Sequence, residues 1–176
     1  MEEDFEWPWQ YNFPPFFTIQ LNSETLKQQL QAWKQLVLDY LKAKKQSLLD
    51  VREAQQTPLF RNTTINRQLS VEGIIKIMEE LSKTGHAEFI DKSKNRWYIY
   101  WEPLEELSSA VYRWASNNGF IGSVCTLYEL AEGENTTDEI FYHLEEDVLL
   151  KVLKKLEEEN KAEIMMFDDS KGVKFF

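Results

Sequence analysis

Residues 70–101 read SVEGIIKIMEELSKTGHAEFIDKSKNRWYIYW. Val71, Ile74, Met78 and Leu81 recur at steps of three and four, so one face of a helix here is apolar. Ser70 supplies an N-cap oxygen at the start of that helix, and Gly85 stops it. Beyond the stop, Ala87–Ile90 and Arg96–Trp101 read as two strands around the polar turn Asp91–Asn95. A helix followed at once by a hairpin is the second half of a helix-turn-helix with a two-stranded wing.

The residues upstream complete the unit. Leu26, Leu30, Trp33, Val37 and Tyr40 keep helical spacing and predict a long amphipathic first helix. A short strand-like segment follows around Ser47–Asp50, and Asp50 caps a short helix over Val51–Gln55. The predicted order is helix, short strand, helix, helix, strand, strand.

The same order recurs about 75 residues later. Ile74, Lys76, Ile77 and Leu81 match Leu149, Lys151, Val152 and Leu156, and Ala87-Glu88-Phe89 matches Ala162-Glu163-Ile164. Ser47, Val51, Glu53 and Ala54 match Ser123, Leu127, Glu129 and Leu130 after a shift of one. Matches in one order across several segments indicate a duplicated unit. In the second copy Leu104, Leu107, Val111 and Trp114 form the first helical stripe, ended by Asn118-Gly119. Ser123–Thr126 is a short strand and Leu127–Ala131 a short helix. Glu145–Glu159 is the third helix, and Lys161–Phe167 with Val173–Phe176 forms a hairpin around Asp168–Gly172. The fold class is α+β, mostly helical: two tandem winged-helix domains, 21–102 and 103–176, preceded by an extended arm of proline and aromatic residues over 1–20.

Composition narrows the function. The chain has 176 residues, enough for two small domains with real cores at 43% hydrophobic residues. No apolar run is long enough to span a membrane, and the acidic start Met1-Glu2-Glu3-Asp4 is unlike a secretory leader. The lone Cys125 leaves no internal disulfide, so a cytoplasmic setting is expected. Net charge is -10, and it is lopsided: residues 1–102 carry 13 basic and 14 acidic side chains, residues 103–176 carry 7 and 16. The third helix of a DNA-reading winged helix needs basic residues on its open face. Here those faces carry Glu72, Glu79 and Glu80 in one copy and Glu145, Glu146, Asp147 and Glu157–Glu159 in the other, which repel phosphate. A winged-helix transcription factor is the alternative class, with Lys92, Lys94 and Arg96 on the first wing as its best support.

Nothing points to an enzyme or a cofactor. His86 and His143 lack partners at metal-ligand spacing. Cys125 lies in an apolar strand, where a packed thiol is far commoner than a nucleophile. Gly122-Ser123 lacks the flanking glycine of a nucleophile elbow. No glycine-rich phosphate loop is present.

The arm carries the strongest remaining signal. Phe5–Phe17 reads FEWPWQYNFPPFF, with seven aromatic rings among three prolines. Pro8, Pro14 and Pro15 exclude a regular helix or central strand. So much aromatic surface must be buried, either on a partner's groove or back on the arm's own domain; the residues alone leave both open. A stiff segment loses little entropy on docking. Pro14-Pro15-Phe16-Phe17 also approaches the Pro-Pro-x-Tyr ligand of WW domains, but it ends in Phe.

The arm, the tandem winged helices and the closing Gly172-Val173-Lys174-Phe175-Phe176 together resemble the small-subunit family of the ESCRT-II complex, the vacuolar protein sorting subunit twenty-five family. Glu53-Ala54-Gln55, Pro58-Leu59-Phe60 and Thr126-Leu127-Tyr128-Glu129-Leu130 resemble it too, so the likeness covers essentially the whole chain. It implies a role in sorting ubiquitinated membrane proteins into multivesicular bodies. Two copies of such a subunit join two larger winged-helix subunits. Pro14, Pro15, Phe16 and Phe17 are then docking residues, with Trp7, Pro8 and Trp9 in a supporting contact, and the Phe16 and Phe17 rings should be removable without unfolding the domain. The domain 103–176 would engage an ESCRT-III subunit, its negative charge favouring a basic helix. Ubiquitin and lipid recognition would belong to a larger partner. This chain would be cytoplasmic, peripherally recruited to the endosomal membrane and not itself inserted.

Overall fold

Helix α1, Ser23–Lys44, begins where the Asn22 side chain accepts hydrogen bonds from the Glu24 and Thr25 amides, both at 3.1 Å. It ends at Lys45, whose φ of 54° turns the chain into the left-handed region, with Lys42 and Lys44 in the last turn. Between these ends Leu30, Trp33, Val37, Tyr40 and Leu41 form one buried stripe. The computed structural model describes residues 5–176, so the acidic start at 1–4 lies outside the described residues. The chain divides into two compact units, one ending at Trp101 and the other running from Glu102 to Phe176.

In the first unit α1 leads into β1 (Leu48–Asp50) and α2 (Val51–Ala54), and then into a small hairpin of β2 (Arg61–Asn62) and β3 (Arg67–Gln68). Helix α3 (Val71–Lys83), β4 (Ala87–Phe89) and β5 (Arg96–Ile99) complete it. The caps are those the sequence calls for: Asp50 accepts from the Arg52 and Glu53 amides, and Ser70 from Gly73. The sheet runs β1-β5-β4, all antiparallel, with Leu49 opposite Trp97 and Ala87 opposite Ile99. Trp33, Leu49, Phe60, Ile74, Ile77, Met78, Leu81 and Trp97 fill the core with no exposed surface. The β2–β3 hairpin was not expected. It is short, its strand residues are polar, and it turns at Asn66 (φ 52°), so it has no apolar alternation to announce it.

The second unit repeats the plan with α4 (Leu104–Asn117), β6 (Val124–Thr126), α5 (Leu127–Glu132), α6 (Glu146–Glu158), β7 (Ala162–Met166) and β8 (Lys171–Phe175). Its sheet runs β6-β8-β7, the same topology as the first. The duplicated positions agree in burial: Ile74 and Leu149, Ile77 and Val152, and Leu81 and Leu156 are all in the core, as are Ala87 and Ala162. Both units are winged helices, each with its third helix followed by a hairpin wing. Gly172 departs from the expected turn and lies in β8 opposite Thr126 and Met165. The hairpin turns tightly, the Phe167 amide donating to the Ser170 carbonyl at 2.8 Å with Met166 opposite Lys171, so residue 172 is already in the strand; the Phe167 ring lies where a side chain there would stand.

Candidate partner-docking site

The arm does not run extended. Its prolines start two 3-10 turns, Trp9–Asn12 after Pro8 and Pro14–Phe17 with Pro at its first positions. Proline suits such positions because its fixed φ matches a helical turn and its missing N–H is not needed there. Both turns are packed against the first unit.

Phe16 and Phe17, expected as docking residues, are buried against the chain's own core. Each is only 4% exposed. The Phe16 ring stacks on Trp33 with centroids 4.1 Å apart and planes within 2°, and Phe17 meets the same indole edge-on at 5.4 Å. Trp33 in turn contacts Phe60 in the centre of the core. The rings are packed as anchors of the arm on its own unit. The physical cause is the apolar wall that α1 presents at Trp33, close enough in sequence for the arm to reach back onto it.

Polar contacts fix the arm's backbone. The Trp33 indole N–H donates to the Phe16 carbonyl at 2.8 Å. The Tyr11 hydroxyl donates to the Pro58 carbonyl, and burial, with Tyr40 nearby, pushes its pKa up to about 12. Asn62, buried in β2, donates from Nδ2 to the Tyr11 carbonyl at 2.7 Å and accepts from the Thr64 amide. Buried Gln29 bonds the arm from the other side. Gln29 did not stand out in the sequence, because a polar residue that seals a loop reads like any solvated one.

With the arm so held, two of its aromatic rings, Trp9 and Phe13, face out. Trp9 is 71% exposed and Phe13 48%, their centroids 5.7 Å apart, beside exposed Pro14 and Pro15. Trp7 is half-buried, stacked on Tyr11 at 3.8 Å, and Pro8 is half-buried too. Trp9, Phe13, Pro15, Gln28, Gln29 and Ala32 border a groove of about 440 Å³ that no charged side chain lines. A neutral groove rimmed by two exposed rings suits an uncharged, apolar surface on another protein. The arrangement suits a WW ligand poorly: Pro14 and Pro15 are in a 3-10 turn rather than polyproline II, and the residue in the Tyr position is buried.

The remaining candidates are occupied structurally. Lys94 of the first wing is 3.7 Å from Glu79 of α3, so one of the wing's cations is partly neutralised by the helix it would have to assist on DNA. On α6, Lys154 and Lys155 pair with Glu157 and Glu105. His86 Nδ1 is 3.1 Å from the Tyr100 carbonyl, and His143 Nδ1 is 2.8 Å from Glu132. Cys125 is fully buried, with its thiol pushed up to about 12 by that burial, so the reactive thiolate is strongly disfavoured. Among the described residues no group of three or more His, Cys, Asp or Glu side chains could hold a metal, and no helix is long and apolar enough to cross a membrane.

A family model described as "ESCRT-II complex subunit" matches residues 10–145. Vacuolar protein-sorting-associated protein 25 of Danio rerio is 53% identical over 172 residues, covering 98% of this chain and 99% of that one. The Homo sapiens protein of the same name is 50% identical over 176 residues, the full length of both. Among solved structures, the crystal structure of subunit VPS25 of the endosomal trafficking complex ESCRT-II superposes with a TM-score of 0.83 at 30% identity, covering 95% of this chain and 97% of that chain. The crystal structure of the endosomal complex ESCRT-II (VPS22/VPS25/VPS36) gives 0.81 at 31% identity, covering 96% and 98%. With a family match over most of its length and full-length relatives at about half identity, this chain belongs to the ESCRT-II complex subunit family.

Proposed function

We propose that this chain is a non-enzymatic subunit of the ESCRT-II endosomal sorting complex, present in two copies and joined through its aminoterminal arm to two larger winged-helix subunits. The observation that carries this reading is the division of labour within the arm. Phe16, Phe17 and Tyr11 are buried in the chain's own core, while Trp9 and Phe13 stay exposed beside Pro14 and Pro15. Large apolar rings left open on an otherwise well-anchored segment mark a protein contact. The docking residues are Trp9, Phe13, Pro14 and Pro15 at the surface, with Trp7 and Pro8 flanking them and Phe16 and Phe17 holding the segment from beneath.

The second winged helix, 103–176, recruits an ESCRT-III subunit. Its acidic surface and its open Tyr128, Met166 and Phe167 side chains favour a basic, amphipathic helix. The complex thereby sorts ubiquitinated membrane proteins into multivesicular bodies. The chain is cytoplasmic and reaches the endosomal membrane peripherally, through its partners.

Native mass spectrometry of the tagged chain recovered with its partners tests the arm. The wild type is expected in a four-chain assembly holding two copies of it. Trp9→Ala with Phe13→Ala should abolish that assembly and leave the thermal unfolding of the free chain within a few degrees of wild type. An intact assembly in the double variant would refute the docking role.

A further inference from the structure

We infer that Gln29 is a positioning residue for the arm: it clamps the arm's backbone so that the docking face is formed before any partner arrives. This rests on the docking reading above. Gln29 is on α1 and is only 7% exposed, yet its carboxamide is fully used. Nε2 donates to the Phe16 carbonyl at 3.0 Å and the Thr18 carbonyl at 2.8 Å, and lies 3.4 Å from the Pro15 carbonyl. Oε1 accepts from the Gln20 amide at 3.1 Å. Both faces of one amide thus span the backbone from residue 15 to residue 20, as a neighbouring strand would. Gln20 adds an outer layer, its Nε2 donating to the Thr18 and Pro15 carbonyls.

All of these bonds go to the backbone. They therefore set the path of the arm without using the Trp9 and Phe13 side chains, which stay open to another surface. Gln29 also borders the groove rimmed by Trp9 and Phe13. A floor that holds the adjoining backbone from Pro15 to Gln20 removes an ordering cost from association. Where only a fraction of molecules have the arm seated, the apparent Kd rises by the inverse of that fraction.

The test compares full-length Gln29→Met with wild type. Methionine keeps the length and apolar volume but offers no amide. Two quantities are read: affinity for the purified pair of larger subunits, and hydrogen exchange of the free chain. Exchange at the Phe16, Thr18 and Gln20 amides reports the arm, and exchange at Trp33 and Val37 reports the core. The expected result is a Kd raised about tenfold, matched by a similar loss of protection at the arm amides, with core protection kept. Gln29→Glu serves as a second variant. It retains the acceptor for Gln20 but sets a carboxylate against the Phe16 and Thr18 carbonyls, and it should weaken binding at least as much. Unchanged affinity in both variants, while Trp9→Ala with Phe13→Ala still disrupts the complex, would overturn the inference and leave the docking reading standing. Equal loss of protection in arm and core would also overturn it, because Gln29 would then be a general stabiliser. Unchanged affinity in every variant would overturn both.

Discussion

Replacing Phe16 by Ala separates an anchored arm from a loosely attached one. The ring is 4% exposed, stacks on Trp33 at 4.1 Å and meets Phe17 edge-on at 5.9 Å. Core Phe-to-Ala changes cost about 3–5 kcal/mol, from lost transfer energy and the cavity left behind. Phe16 is at the rim of the core, where the arm can partly collapse into the space, so the lower end, about 3 kcal/mol, is the expectation. For a domain of this size that lowers Tm by roughly 12–24 °C, at about 4–8 °C per kcal/mol. In urea the midpoint should fall by about 1–3 M, given a slope of about 1–3 kcal/mol/M. Tryptophan emission is a suitable probe, since Trp7, Trp9, Trp33, Trp97 and Trp101 are all in the first unit and only Trp114 is in the second. Trp9→Ala is the control and should shift the midpoint little, its ring being 71% exposed. A loss below about 1 kcal/mol in Phe16→Ala, far under the usual core range, would refute the anchored arm and restore Phe16 as a free contact residue.

Two further perturbations follow from particular contacts. Gly172→Ala places a methyl 2.8 Å from the Phe167 ring and 3.0 Å from the Cys125 carbonyl of the adjacent strand. The ring can swing aside but the backbone cannot, so the change should cost about 1–3 kcal/mol and speed amide exchange across β6–β8; unchanged exchange would refute it. Alkaline pH should loosen both units. Tyr11 and Cys125 are each pushed up to about 12, mainly by burial, from ordinary values of 10.0 and 9.0. The unfolded chain therefore releases these protons first, and stability falls as pH rises from about 9 for Cys125 and about 10 for Tyr11 towards about 12. Tyr11→Phe should flatten the fall of the first unit above pH 10 in urea titrations, and an unaltered slope would count against it.

What the sequence made legible was whatever a short window can hold. The stripes on α3 and α6 need only steps of three and four, and Asp50 and Ser70 cap helices that begin at the next residue. The repeat was legible because burial constrains the same positions twice: Ile74 with Leu149 and Ile77 with Val152. The site was less legible because its logic is long-range. Asn62 reaches the Tyr11 carbonyl across 51 residues, and the Tyr11 hydroxyl reaches Pro58 across 47. Gln29 is one glutamine in a helix rich in them, distinguished only by the arm that covers it.

The backbone of the arm explains how one segment serves two surfaces. Phe5, Trp7, Trp9, Tyr11 and Phe13 occupy every second position, so an extended strand would line all five rings on one face. That stripe would be buried together or exposed together, leaving the arm either a core plug or a loose ligand. The turns begun at Pro8 and Pro14 break the alternation. Tyr11 rotates inward to bond Pro58 while Trp9 and Phe13, two positions to either side, stay outward. Phe16 and Phe17, adjacent in sequence, both reach Trp33, which consecutive residues of a strand cannot do from its opposite faces. The prolines thus do more than stiffen the arm. They sort its aromatic residues into anchors and contacts, and the order of the two sets along the chain follows from where the turns begin.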